Sequence, residues 1–480
     1  MNDNLIDRKI HFIGSNLEDN PKLKKLFSEI LKLKSLEAPI VCLPDLYLKA
    51  RTEAPASIAT ATKGTIVPTL SAPSLGCSMG MIATSLNKEN ITPEVERAFF
   101  AHIQDELGKY YNFFENISVW LGFKKRPLKK YDLTLGEFED FIKFGAMAAV
   151  KRYGLPSSTV DNMEFRGSVF SDEEIKNLNL KNILPRSSFT NGRHDLGYGF
   201  KGNHFLEIHI VEDVLDETAA KSWGLKPNQV LIFYHGGGGI VPYHVGRYYA
   251  NRRKNNFKQK FFLRIGKVFF HLMTPDGLKN FKTRLRYYFF PDTFQEIDAN
   301  STEGRRYLLA TKAAINYSYA FNIAIMRRVM DSFEKTFPGR KIDFKLVSAL
   351  VHNSINKENI KGQEVFLHRH TLNRVEPGKA IPLAGMGNTI NYLGLGLESP
   401  PETLASAEHG TGENIKRFKK SGESKEDPNH QTTIYRTKVP FETKITHLTS
   451  EGVDFVMNEL EKASLIKPII KMRPIASFKG

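Results

Sequence analysis

The segment Gly202-Asn203-His204-Phe205-Leu206-Glu207-Ile208-His209-Ile210-Val211 decides how the rest of the chain is read. From His204 to Val211 apolar and polar side chains alternate, the period of a strand with two unlike faces. Parity puts His204 with Leu206, Ile208 and Ile210, and Asn203 with Phe205, Glu207 and His209. A histidine on an apolar face is ordinarily a satisfied core residue. The alternative is a buried ligand whose second nitrogen is held by a neighbour.

Outward from this strand, three apolar runs end on histidine. They are Leu231-Ile232-Phe233-Tyr234-His235, Ser348-Ala349-Leu350-Val351-His352-Asn353 and Val365-Phe366-Leu367-His368. Val230 to Tyr234, Phe344 to Val351 and Glu364 to Leu367 read as buried strands. Ligand sites often lie beyond the carboxyl ends of such strands, so the histidines have a reason to converge. Imidazole is the commonest metal ligand and also a nucleophile. For each one alone, a loop or cap histidine is the plainer reading. Gly236 to Gly239 follow His235 and let backbone N–H groups approach an anion, but no Lys-Ser/Thr follows to make a Walker loop. Cys77, in Leu75-Gly76-Cys77-Ser78, is by itself a small buried hydrophobe.

Helical periodicity covers Pro21 to Leu36, Pro93 to Ile117, Leu135 to Tyr153 and Thr302 to Phe337, the last with a break expected near Asn316. Pro44 to Gly80 has short extended pieces. Glu413 to Gln431 is strongly polar and reads as a long surface loop. Helices and strands are mixed throughout, with no repeat and no clear linker, which favours one large α+β domain spanning 1–480.

The 480 residues are 41% hydrophobic and 25% charged, which excludes disordered, collagen-like and coiled-coil chains. No apolar run approaches the ~18 residues that span a bilayer, and Met1 to Asn16 lack the pattern of a signal peptide. Two cysteines, Cys42 and Cys77, make no disulfide framework, so a reducing cytoplasm is expected. Lys and Arg number 68 against 52 Asp and Glu, a net +16. That excess favours polyanionic partners. It is concentrated in Arg247, Arg252, Arg253, Lys254, Lys258, Lys260, Arg264, Lys267, Lys279, Lys282, Arg284 and Arg286, interleaved with Tyr248, Tyr249, Phe257, Phe261, Phe262, Tyr287 and Tyr288. Such a pattern suits phosphate gripping and base stacking, and equally amphipathic helices with snorkelling lysines.

Together these motifs resemble the RtcB-type RNA ligases, the GTP- and manganese-dependent enzymes of tRNA splicing and RNA repair. Leu43-Pro44-Asp45-Leu46 is similar to the family's Met-Pro-Asp-Val, and Gly202 to Glu207 is its Gly-Asn-His-Phe-Leu-Glu unchanged. His235 and its glycines resemble His-Ser-Gly-Ser-Arg-Gly, and His352-Asn353 its His-Asn pair. Leu367-His368-Arg369, with Arg374 and Pro377 behind it, resembles the segment bearing the guanylylated histidine. Gly385-Met386-Gly387, His409-Gly410-Thr411-Gly412 and the ending Arg473-Pro474 to Lys479-Gly480 follow in the family's order. The family's Gly-Tyr-Asp-Ile-Asn-Cys-Gly motif aligns without gaps so that Cys77 takes the cysteine and Ser74 the aspartate. A gapped alternative puts Met79 and Gly76 there, and both lack the carboxylate. Gly239 and Glu413 stand near or at family arginines, Tyr47 at a histidine and His370 at a lysine.

The resemblance implies an RtcB-like architecture with a metal and nucleotide site in a central cleft. It implies that His368 attacks the GTP α-phosphate to give guanylyl-histidine. An RNA 2′,3′-cyclic phosphate opens to a 3′-phosphate, GMP moves to that phosphate, and a 5′-hydroxyl displaces GMP. Cys77, His204, His235 and His352 are the implied metal ligands. The implied nucleotide contacts are Asn203, His204, Phe205, Leu206, Glu207, His352, Asn353, Arg369, His370, Thr371, Leu383, Ala384, Gly385, Met386 and Lys479. GTP and Mn²⁺ are the implied cofactors, while a thiolate with imidazoles alone suggests Zn²⁺. The implied partners are RNA with 3′-phosphate or cyclic-phosphate ends and an archease-like activator, with no membrane. Two other classes fit the same residues: a metal-dependent phosphodiesterase that processes RNA ends without ligation, and a non-catalytic RNA-binding homologue.

Overall fold

The structure, a computed structural model, describes residues 9–17, 20–37, 39–49, 52–71, 75–106, 128–196, 200, 204–250, 257–436 and 439–479. Among these, two sheets carry the site. The larger has nine strands, most of them antiparallel. Its main path runs Ala380–Leu383, Asn391–Gly396, Ile466–Lys479, Phe205–Val214, Gln229–Gly237, Cys77–Asn87, Phe344–Val351. The ribbon Glu426–Arg436 and Val439–Leu448 joins it through a parallel pairing with Ile466–Lys479. The smaller has five, in the order Ile10–Phe12, Ile40–Tyr47, Ala56–Thr62, Gln363–His370, Asn353–Ile360.

The alternation at Phe205–Val214 works as parity requires. Leu206, Ile208 and Ile210 enter the main apolar core. On the other face Glu207 and His209 are buried as a pair, His209 Nε2 to Glu207 Oε2 at 3.0 Å. One core face is covered by the helix Thr302–Thr336. That helix is continuous, contrary to the break expected near Asn316. The Asn316 amide donates to the Ile142 and Lys143 carbonyls and accepts from the Val169 N–H, so it serves neighbouring segments and leaves its own helical bonds alone.

Two other elements differ from expectation for local reasons. The first helix is Pro21–Ile30, shorter than 21–36, because Glu296 takes the Ser35 N–H and hydroxyl and draws the chain away. Leu135 to Tyr153 forms two helices, Leu135–Phe144 and Ala146–Tyr153. They meet at Gly145, where φ is +56° and an added Cβ would sit 2.1 Å from the Gly167 carbonyl. Pro93 to Ile117 is helical over Pro93–Glu106, and residues 107–127 lie outside the described residues.

The polar stretch Glu413 to Gln431 is folded, not a loop. It forms the helix Gly412–Ser421 and the first half of the strand Glu426–Arg436. The buried Asp45 carboxylate accepts the Glu413 and Asn414 N–H groups, each at 2.9 Å, and so starts that helix. No helix of the described residues is long and apolar enough to cross a membrane.

Candidate active site

The two sheets meet at His352. The strand Phe344–Val351 of the larger sheet ends just before it, and Asn353–Ile360 of the smaller begins just after. The His352 N–H donates to the Cys77 carbonyl at 3.0 Å, and its own carbonyl accepts from the Leu372 N–H at 2.9 Å. This junction fixes the place of every ligand around it.

Two triads share His235. Cys77, His204 and His235 form one; His235, His352 and His409 form the other. Within each, a ligand atom from every member lies within 4.8 Å of the rest. Cys77 Sγ is 3.2 Å from His235 Nε2 and 3.4 Å from His204 Nε2. The His352 and His409 rings stack at 4.3 Å between centroids. Strand pairing sets this up: Cys77 opposes Gly237 and Met79 opposes His235, while His235 opposes Phe205. Gly237 leaves room for the His204 ring, because a Cβ there would lie 2.3 Å from His204 Cε1.

The donors fit a divalent ion. Thiolate and imidazole suit zinc and related metals. The buried Nδ1 atoms of His352 and His409 have no hydrogen-bond partner. Burial pushes the Cys77 thiol up to about 12, against the pull of the Lys49 charge. It also holds His409 down to about 3 and His352 well below the usual imidazole range. Both imidazoles are therefore neutral at pH 7 and have lone pairs to give. Among the described residues neither triad contains a carboxylate.

The remaining expected site residues divide into groups. Glu207 and Lys479 come together at the Gly387 loop, where an added Cβ would lie 3.1 Å from Glu207 Oε1 and 3.4 Å from Lys479 Nζ. The Gly385 N–H is held by Asn391 and the Met386 N–H by Thr389. Ala384 donates to the His409 carbonyl, and Leu383 ends the preceding strand. Phe205 packs against His235 with 5.8 Å between ring centroids. Leu206 is taken up by the core. Asn353 accepts the Thr371 N–H at 2.8 Å. Arg369 is wholly buried in a structural network with Glu358, Ser406 and the Leu404 and Ala405 carbonyls. Asn203 and Ser74 lie outside the described residues.

Sequence reasoning missed two members of the site. His409 completes the second triad, and its signal was the His-Gly-Thr-Gly motif itself. Lys49, just beyond the strand Ile40–Tyr47, acts electrostatically on Cys77, His352, His370 and His409, and its own ammonium is lowered to about 8 by burial. No motif flagged it. Just after the glycine turn, the Asp195 carboxylate accepts the Ile240 N–H at the start of the helix Ile240–Tyr249.

The basic stretch lies on short helices, Phe257–Lys267, Pro275–Lys279 and Phe281–Arg284. Lys260, Arg264, Lys279, Lys282 and Arg286 are exposed, with Phe261 and Phe262 beside them. Lys267, Arg284, Tyr249 and Tyr288 are buried and serve packing. Arg252, Arg253 and Lys254 lie outside the described residues.

Comparison with known proteins gives one family. The family described as tRNA-splicing ligase RtcB matches residues 27–480. Similar curated proteins include the tRNA-splicing ligase RtcB of Thermococcus kodakarensis, 24% identical over 450 residues, covering 88% of this chain and 83% of that protein. That of Methanocaldococcus jannaschii is 26% identical over 432 residues, 84% of this chain. That of Pyrococcus furiosus is 23% identical over 435 residues, also 84% of this chain. The chain spans 40% of the length of each of these last two relatives.

Proposed function

The chain belongs to the RtcB family of tRNA-splicing ligases, and from that premise we propose that it joins RNA ends through a guanylyl-histidine intermediate, using GTP. The observation that carries the reading is the pair of triads sharing His235, built beside the strand Gln363–His370 that bears the family's nucleophile motif. A divalent ion held by Cys77, His204, His235, His352 and His409 would supply positive charge to phosphate oxygens. Manganese is the family's metal, and zinc suits this donor set.

The chain's own residues do the rest. A histidine of that strand, His368 by motif position, attacks the GTP α-phosphate and releases pyrophosphate. Burial keeps His368 at about 4 and His370 at about 3, so either ring is neutral at pH 7 and needs no base. Lys49 adds fixed charge at the phosphates. Glu207 and Lys479 offer an acceptor and a donor to the nucleotide at the Gly387 loop. The guanylyl group then passes from the histidine to an RNA 3′-phosphate, and the 5′-hydroxyl of the second RNA attacks that phosphorus, gives up its proton and displaces GMP.

The test is incubation with α-labelled GTP and manganese or zinc. Label that survives denaturation, is lost in acid and persists in alkali marks a phosphoramidate and supports the reading. A chain that takes no label with either metal contradicts it.

A further inference from the structure

The strand Gln363–His370 carries two histidines on the same side, and they are held differently. His368 is closed on both nitrogens. Its Nε2 accepts the Val67 N–H at 3.0 Å, and its Nδ1 faces the Thr60 carbonyl at 3.3 Å. His370 is closed on one. Its Nδ1 donates to the Pro55 carbonyl at 2.6 Å, while Nε2 is buried without a partner. A carbonyl only accepts, so this bond keeps the proton on Nδ1 and leaves a lone pair on Nε2.

The surroundings differ in the same sense. His370 pairs across the strands with Asn353, next to His352. The His409 ring lies against the Thr371 backbone, and the Lys49 charge acts on the His370 ring. The groups acting on His368 are the Thr60 and Phe366 backbones, and no triad member is among them. Thr371, directly after His370, has φ +62°. That left-handed turn is costly for a β-branched residue. It is held by Asn353, which takes the Thr371 N–H at 2.8 Å, and by Ser57, whose N–H donates to Thr371 Oγ1 at 2.7 Å.

We infer that His370, and not His368, is the nucleophile that takes the guanylyl group in this chain. The inference rests on the nucleotidyl-transfer reading above and concerns which atom performs it. The Nε2 lone pair forms the bond to the α-phosphorus as the bond to the β-phosphate oxygen breaks, and pyrophosphate leaves with that electron pair. No proton has to leave Nε2. The positive charge gained by the ring is met by the Pro55 carbonyl on Nδ1, as the third member of a triad meets its imidazolium. Where the resemblance places the family's lysine, this chain has an imidazole whose cross-strand partner, Asn353, adjoins the triad residue His352.

The experiment maps the label. Wild-type protein is guanylylated, digested in alkali-stable conditions, and the modified peptide spanning His368 and His370 is fragmented. Modification on His370 is expected. Modification on His368 overturns the inference and leaves the proposed function standing. Absence of any label overturns both. His370→Gln should lower labelling by about a hundredfold or more with the circular dichroism spectrum unchanged. A metal-free readout is independent of turnover. In chelated protein, histidine ring ¹⁵N spectra should show His370 protonated on Nδ1, with Nε2 a lone-pair nitrogen. A proton found on Nε2 would overturn the assignment.

Discussion

His235 stands in both triads, yet an imidazole nitrogen has one lone pair and binds one ion. Only the Cys77 thiolate can bridge two. Of the five described ligands only the Cys77 sulfur can bring a negative charge to a bound ion, because neutral imidazoles bring none. One divalent ion is what such a set neutralises well; a second needs charge from GTP phosphates. Nucleotide-free protein should therefore hold one tightly bound zinc or manganese per chain by elemental analysis after dialysis. Two ions per chain without GTP would show that another residue supplies the missing carboxylate. At this scale the sequence was partly legible. His235 and His352 each end a short apolar run, while Cys77 and His204 could be named as ligands only through the family resemblance. Lys49 could not, because its approach to the site depends on the turn between two strands of the smaller sheet. Alignment puts His368 at the nucleophile position and His370 at a lysine, but strand parity places both on one face and so does not by itself show which ring keeps a free nitrogen.

Between elements, buried charge does more than propensity. Glu96, on the helix Pro93–Glu106, faces the ribbon through Tyr435, whose hydroxyl donates to Glu96 Oε2 at 3.3 Å. Burial raises this carboxyl to about 7. The folded state then holds a proton that the unfolded state, near 4.5, has lost. Stability from this group is fullest below about pH 4.5 and declines as pH rises through 7. Glu96→Gln should raise stability by about 1–2 kcal/mol at pH 8 and change little at pH 4. Equal effects at both pH values in denaturant titrations would contradict this. The basic helices are moored by Arg284 on Glu303 at 2.6 Å and by Lys267 on the Tyr288 carbonyl at 2.9 Å, which leaves their other charges facing outward. Neutralising Lys260, Arg264, Lys279, Lys282 and Arg286 together should flatten the salt dependence of RNA binding, by about 0.7 in log–log slope for each lost phosphate contact on a single strand. An unchanged slope would put the RNA on another face. Helical periodicity found the helices over 135–153 and 302–337 without their internal detail, and it missed the helix Gly412–Ser421, whose sequence reads as a loop. Gly145 splits one helix through a tertiary contact, Asn316 spares another by bonding outward, and Asp45 starts a third from far away in the chain.

For the whole molecule, the decisive feature is that the site sits where the two sheets join. Cys77 and His235 come from the larger sheet, His204 just precedes its strand Phe205–Val214, His370 comes from the smaller, and His352 is the residue at which the chain crosses between them. We propose that residues 1–480 behave as one domain for this reason. Calorimetry should show a single unfolding transition that shifts upward on zinc addition. Two transitions, only one of them moved by metal, would contradict that. The mixed α+β class was readable from the texture of the chain, but the partition into two sheets was not, because it depends on which distant strands pair. The central claim is the joining of RNA ends, and the most direct measurement uses two oligonucleotides, one ending in a 2′,3′-cyclic phosphate and the other beginning with a 5′-hydroxyl. With GTP and manganese or zinc, the expected result is a joined RNA whose new linkage carries the phosphate of the first strand. Opening of the cyclic phosphate without joining, or RNA that is bound and left unchanged, would contradict it.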